Sequence, residues 1–157
     1  MLKSKWLNAG IILKMNAINY PDKLGWQDKF KEFTFKQWNE RACRLANGLV
    51  KLGVKHKDTF AVIAYNRGEW MDIYAGCAKG GQAIVPVMFR LAPPEIQYIV
   101  GHSECKAFIV EKPFGLSGLM QIISAFIQWR ENQGFDNSLL TEPVVISDAD
   151  PADADNN

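Results

Sequence analysis

The side chains that could do chemistry in this 157-residue sequence are few and lie far apart. The two histidines, His56 and His102, have no carboxylate or nucleophile beside them, so neither resembles part of a catalytic triad. The three cysteines, Cys43, Cys77 and Cys105, form no C-x-x-C pair, which argues against a zinc site or a disulfide framework. We expect reduced thiols, with Cys77 and Cys105 buried as small apolar side chains.

Polar residues follow two of the apolar runs. Asn66, Arg67 and Glu69 come after the first run, where they could bind a ligand. For Asn66 and Glu69, a role in capping the next helix is a better explanation than ligand binding, because Asn66 can be the cap and Glu69 follows it three residues on. Arg90 follows the second run and could hold a phosphate, although an internal salt bridge or a backbone contact explains it equally well.

The glycine-rich pieces do not have the spacing of a phosphate-binding loop. Gly80-Gly81 and residues 115–118 (Gly-Leu-Ser-Gly) match neither G-x-G-x-x-G nor a Walker loop. They are better explained as residues that mark the boundaries of helices. We therefore predict no catalytic, cofactor-binding or metal-binding residue in this chain.

The elements that would position these side chains alternate between strand and helix. Buried strands are expected at 59–65 and 83–88 and further strands at 106–111 and 143–147. Helices are expected at 9–19, 35–52, 66–80, 93–101 and 117–133. A capping box of Thr34 and Gln37 begins the second helix, and Gly53 ends it. This pattern predicts an α/β fold with an incomplete doubly wound, mainly parallel sheet, flanking helices and a small β-hairpin at 24–35.

Charge and composition exclude several classes of protein. The net charge is +1, although residues 1–67 carry +8 and the rest −7. No apolar run is long enough to span a membrane, and no signal peptide is evident. The charge of the whole chain is too small to attract nucleic acid electrostatically. We expect a cytoplasmic protein. We expect residues 1–147 to form part of one domain and residues 148–157, with four aspartates, to form a disordered acidic tail.

From Asn8 to Lys112 a series of phrases resembles the N-terminal portion of the adenylate-forming (AMP-binding) superfamily, especially acyl-CoA synthetases and fatty acid–CoA ligases. The phrases, in order, are Tyr20-Pro21-Asp22-Lys23, Phe33-Thr34-Phe35, Leu45-Ala46-Asn47-Gly48-Leu49, Asp58 to Ile63, Asn66 to Trp70, Val85-Pro86-Val87 and Arg90 to Ile96. Two positions depart from the family pattern, because Lys57 stands where glycine is usual and Gly68 where proline is usual.

The resemblance implies a ligase of fatty acid metabolism that activates a carboxylic acid with Mg-ATP and transfers the acyl group to coenzyme A. It also implies that the phosphate loop, the adenosine site and the C-terminal lid lie further along, so the matched phrases are scaffold. We therefore expect an N-terminal fragment that is inactive alone and could pair with a complementing C-terminal portion. We also expect partial folding, with exposed apolar surface that would bind a hydrophobic dye.

Two alternatives stay open. The chain could be a non-catalytic interaction module or one half of a split ligase, using an unpaired sheet edge and exposed apolar helix faces. It could also be a small domain that binds nucleotide or coenzyme A through its basic half.

Overall fold

The structure, a computed structural model, describes residues 8–111, 124, 126–128, 131, 132, 134, 145 and 146. These residues fall into two units. Unit 1 holds the residues up to Thr59 together with Asn66–Ile84, and unit 2 holds Phe60–Tyr65 together with the residues from Val85 onward.

The order of elements follows the predicted alternation. The elements are α1 (Ala9–Asn19), β1 (Leu24–Gln27), β2 (Glu32–Thr34), α2 (Phe35–Lys51), β3 (Thr59–Ile63), α3 (Glu69–Gly80), β4 (Ala83–Val87), α4 (Pro93–His102), β5 (Ala107–Glu111) and β6 (Val145–Ile146).

Three helices pack together in unit 1. The first, α1, has the predicted bounds, and the third, α3, ends at Gly81 in the left-handed conformation. The predicted capping box is present at α2: Gln37 N–H donates to Thr34 Oγ1 at 3.3 Å, and Thr34 N–H donates to Gln37 Oε1 at 2.9 Å. Buried Leu13, Ala42 and Ala75 form the apolar cluster of these helices.

The predicted hairpin is confirmed as an antiparallel pair of β1 and β2. Its turn is closed by Asp28, whose carboxylate accepts hydrogen bonds from the N–H groups of Phe30 and Lys31, both at 2.8 Å. These two bonds lower the pKa of Asp28. On the strands, the rings of Trp26 and Phe33 lie 4.9 Å apart.

The sheet of unit 2 has the strand order β4-β3-β5-β6. Strands β3 and β5 pair in parallel, with Phe60 opposite Ala107, and β5 and β6 also pair in parallel. Side chains of β3, β5 and α4 form a buried core that includes Phe108, whose ring meets that of Phe126 edge-on at 5.9 Å. The predicted α/β class with a mainly parallel sheet is confirmed.

Three details of the prediction were wrong. The strand β4 is not buried throughout, because it lies at the end of the described sheet and only Val87 is buried; Pro86, which has no N–H to give a neighbouring strand, is exposed there. The helical spacing in the sequence predicts that Tyr74 lies on the apolar face of α3 with Ile73 and Cys77, but Tyr74 is 48% exposed. The cap of α3 is Gly68, without a side-chain hydrogen bond, so Asn66 does not cap this helix.

The short strand β6 lies within the predicted strand 143–147. Most of the predicted helix 117–133 and the whole predicted tail 148–157 lie outside the described residues. Among the described residues no helix combines the length and the apolar character that crossing a bilayer requires.

Candidate functional site

The strand order of unit 2 identifies where a ligand would be expected. The chain runs from β3 to its neighbour β4 and then returns to β5 on the other side of β3. In open parallel sheets, ligands bind beyond the carboxyl ends of the strands at such a change of direction. The relevant residues are therefore those that follow Ile63, Val87 and Val110.

Four side chains from these positions form a group that we call the carboxyl-end cluster: Tyr65, Phe89, Arg90 and Glu111. The N–H of Tyr65 donates to Oε2 of Glu111 at 2.7 Å, which ties the loop after β3 to the end of β5. The rings of Tyr65 and Phe89 lie 4.5 Å apart and are tilted by 58°. Residues at or just beyond the carboxyl ends of β3, β4 and β5 thus lie at the same edge of the sheet.

The cluster combines a buried carboxylate with an exposed aromatic and cationic surface. Glu111 is 6% exposed, whereas Tyr65 is 43% exposed. The exposed Arg90 places its guanidinium carbon 5.4 Å from the centre of the Phe89 ring. A guanidinium held near an aromatic face can bind a carboxylate or phosphate oxygen through two N–H groups.

The cluster does not fit a triphosphate with its metal. The described loops after β3 and β4 hold two cations, Arg67, which is paired with Glu69, and Arg90, and no run of glycines whose N–H groups could cradle phosphates. Across the described residues, no three His, Cys, Asp or Glu side chains are grouped to hold a metal ion. The residues present suit one anionic group beside an aromatic surface.

Arg67 and Glu69, the other ligand-binding candidates, are bonded to each other in unit 1. Arg67 Nε donates to Glu69 Oε2 at 2.7 Å, and Lys31 Nζ lies 3.3 Å from Glu69 Oε1. Burial opposes the charge of Glu69, but hydrogen bonds from Arg67 and from the backbone N–H of Glu69 itself, together with the positive charges of Arg67 and Lys31, outweigh it and lower the pKa of Glu69 to about 2. The capping role predicted for Glu69 was wrong, and its charge stabilises the unit.

A second ion pair joins two helices of unit 1. Arg41 on α2 meets Asp72 on α3, with Nη2 and Oδ2 2.7 Å apart. Burial raises the pKa of Asp72, and the hydrogen bond and charge of Arg41 oppose that rise without cancelling it. This pair links α2 to α3 within the scaffold of unit 1.

The remaining candidates behave as structural residues. Cys77 and Cys105 are buried as predicted, and burial raises the pKa of the Cys77 thiol, which disfavours its nucleophilic thiolate form. The ring of His102 stacks on that of Tyr98, one turn away on α4, at 5.6 Å. His56 lies in the turn before β3, in unit 1.

The sequence alone did not identify Phe89 or Glu111 as members of the cluster. Of these two residues, only Glu111 could have been predicted, because it is a lone carboxylate at the end of a wholly buried strand. Such a residue must find a donor, and the donor here is the N–H of Tyr65. Phe89 offered no signal, because an aromatic residue after a strand is ordinary.

Comparison with known proteins identifies the family. The profile of the AMP-binding enzyme family matches residues 13–156. The chain is 28% identical over 103 residues to 4-hydroxybutyrate–CoA ligase 2 of Metallosphaera sedula, a match that covers 66% of this chain and 19% of that protein. It is 32% identical over 108 residues to a long-chain-fatty-acid–CoA ligase of Mycobacterium tuberculosis, covering 68% of this chain and 22% of the relative.

Solved structures give the same result. A fatty acyl CoA synthetase of Mycobacterium tuberculosis superposes with a TM-score of 0.67 at 26% identity, over 88% of this chain and 26% of that one. An anthranilate CoA ligase in complex with anthranoyl-AMP gives 0.69 at 26% identity, over 90% and 25%. The chain spans about a fifth of the length of the curated relatives it matches. With the family profile matched over nearly all of its length, this chain belongs to the AMP-binding enzyme family.

Proposed function

We propose that this chain provides the N-terminal scaffold of an ATP-dependent, AMP-forming acyl-CoA ligase and that it does not activate a carboxylic acid on its own. The whole enzyme would join a carboxylic acid to ATP, release pyrophosphate, and then transfer the acyl group from AMP to the thiol of coenzyme A. The observation that carries the proposal is the family match over residues 13–156 in a chain about a fifth as long as its relatives.

The chemistry of adenylation supports the inactive state of the isolated chain. The step needs donors that stabilise the charge developing on the phosphates, and losing one such donor can cost about 3 to 4 kcal/mol of barrier. The carboxyl-end cluster supplies one guanidinium, that of Arg90. ATP, Mg²⁺ and coenzyme A would therefore be bound mainly by other parts of the enzyme, including a complementing C-terminal portion.

The direct test is pyrophosphate release. The purified chain is incubated with Mg-ATP, coenzyme A and a panel of short, long-chain and aromatic carboxylic acids, with a full-length family member as the positive control. We expect no release above the protein-free blank from the chain and clear release from the control. Release by the chain with any acid on the panel would overturn the proposal.

A second arm separates a scaffold from an interaction module. The chain is mixed or co-expressed with a family ligase from which the matching N-terminal residues have been removed, and pyrophosphate release is measured again. Restored release identifies one half of a divisible ligase. A complex that forms without activity would instead favour a non-catalytic interaction module.

A further inference from the structure

The helix α1 has an apolar surface on the side that faces solvent. Ile11, Met15 and Ile18 recur at the spacing that places side chains on one helix face, and Ile12 lies beside them. Their exposed fractions run from 39% for Ile11 to 68% for Ile18. These four side chains form what we call the outer face of α1.

The outer face is fixed in place by the opposite side of the same helix. Gly10 and Leu13 are buried there, and Leu13 packs with Ala42 and Ala75. Lys79 Nζ donates to the carbonyl oxygen of Gly10 at 3.3 Å. Since one side of α1 is held by α2 and α3, the helix cannot turn its isoleucines inward without losing these contacts.

Three lysines lie on α1 or close to its C-terminal end. Lys14 is exposed on α1 itself, and Lys23 follows the helix with its Nζ 5.7 Å from the centre of the Tyr20 ring. The N–H of Lys36 donates to the carbonyl oxygen of Pro21 at 3.1 Å, so the backbone of a third lysine lies beside the residues that follow α1. Asp22 is the acidic residue in this stretch.

We propose that the outer face of α1 binds the surface of a membrane that contains anionic lipid. Helices lie in the membrane interface when apolar side chains enter the acyl boundary and lysines beside them meet anionic headgroups. Tyr20 also suits this position, because a phenol ring has an apolar body and a polar tip. The isoleucines and Met15 would supply the apolar contact and the lysines the attraction.

The size of the face favours lipid over a protein partner. An eleven-residue helix is about 16 Å long and about 10 Å wide, which gives a footprint on the order of 160 Å². A stable protein interface buries about 800 Å² on each side. A lipid surface needs neither that area nor a complementary shape, so a face of this size suits lipid better than a second copy of the chain.

The experiment is co-sedimentation of the full chain with vesicles of phosphatidylcholine alone and of phosphatidylcholine with phosphatidylglycerol. We expect binding to the anionic vesicles, weaker binding to the neutral ones, and loss of the difference at high salt. Ile18→Ser, which leaves the charge unchanged, should weaken binding about tenfold, since it removes most of a buried aliphatic side chain from the lipid contact. Absence of binding to anionic vesicles would overturn the proposal.

A matched control comes from α2. Val50 is exposed to a similar degree, 58% against 68% for Ile18, but belongs to another helix. Val50→Ser should bind vesicles as the unchanged chain does, and near-UV dichroism should show that both variants keep their fold. Equal weakening by the two variants would contradict a specific role for α1. Self-association without lipid that Ile18→Ser abolishes would assign the face to a second copy instead.

Discussion

Gly68 lies against Trp26 with no room for a side chain between them. A Cβ placed on residue 68 would lie 2.7 Å from Cη2 of the indole ring and 2.5 Å from Oδ2 of Asp28. The ring cannot easily move aside, because Trp26 is 7% exposed and its neighbour Phe33 lies 4.9 Å away. Residue 68 is glycine, where the family usually has proline, and the large ring of Trp26 occupies the space that a side chain there would need.

Replacing this glycine should destabilise the chain. Gly68→Ala forces a methyl group into space that Trp26 and Asp28 occupy, and overpacking of this kind costs about 1 to 3 kcal/mol. Its effect should appear as a lower free energy of unfolding in urea, followed by tryptophan fluorescence. The matched control is Gly48→Ala in the interior of α2, where a Cβ meets nothing within 4 Å. That change should stabilise by up to about 1 kcal/mol, and a loss of stability in both variants would contradict the explanation.

The second departure from the family pattern also has a measurable consequence. Lys57 has a φ of 71°, in the left-handed region that glycine tolerates and other residues adopt at a cost of about 1 to 2 kcal/mol. Its N–H donates to the carbonyl oxygen of Gly81 at 2.7 Å, which any residue can do. Lys57→Gly should therefore stabilise the chain by about 1 kcal/mol, measured as a rise in the urea midpoint.

The control for this change is the nearby lysine at residue 55. Lys55 has no positive φ, so Lys55→Gly gains no relief from strain and increases the freedom of the unfolded chain. We expect Lys55→Gly to be neutral or destabilising. A similar shift in both variants would indicate that charge, and not the backbone conformation, is responsible.

Local rules predicted the elements well because local forces determine them. The bounds of α1, the capping box of Thr34 and Gln37, and the left-handed Gly81 each depend on residues within a few positions of one another. The alternation of strand and helix then limits the topology, since parallel strands need crossover connections. These features follow from spacing and composition alone.

The errors occurred where distant residues compete with local rules. Asn66 and Glu69 have the spacing of a helix start, but Lys31, 38 residues away, and Arg67 hold Glu69 as an ion pair. The helix therefore begins after Gly68. Likewise, Pro86 is exposed because β4 lies at the end of the described sheet, a position that depends on the order of strands. Tertiary contacts override propensity in both cases.

The ion pairs of Glu69 should make stability depend on acidity. Its pKa is about 2 in the folded chain against 4.5 for an ordinary glutamate, so the unfolded chain binds the proton first. Stability from this carboxylate is therefore complete above about pH 4.5 and is lost as the pH falls towards 2, a total of roughly 2 to 3 kcal/mol. Asp72, whose pKa is raised, acts in the opposite direction over part of the same range.

A comparison of variants isolates the contribution of Glu69. Glu69→Gln keeps the shape and removes the titration, so its unfolding free energy should lie below that of the unchanged chain at pH 6 and approach it at pH 3. The measurement is urea unfolding at both values. A constant difference between the two proteins across this range would show that the charge of Glu69 is not the source of the pH dependence.

The hydrogen bond between Tyr65 and Glu111 should be required to hold the carboxyl-end cluster together. Glu111→Ala removes the acceptor that the N–H of Tyr65 meets at 2.7 Å, at a cost of about 1.5 to 3 kcal/mol for a hydrogen bond to a charged group. Exchange of the Tyr65 amide hydrogen should be faster in this variant. Glu111→Gln retains a side-chain oxygen that can accept the bond, so the Tyr65 amide hydrogen in this variant should exchange nearly as slowly as in the unchanged chain. If the glutamine variant exchanges as fast as the alanine variant, the bond needs the carboxylate charge and not merely an acceptor at this place. Unchanged exchange in both variants would show that the carboxylate does not hold the loop after β3.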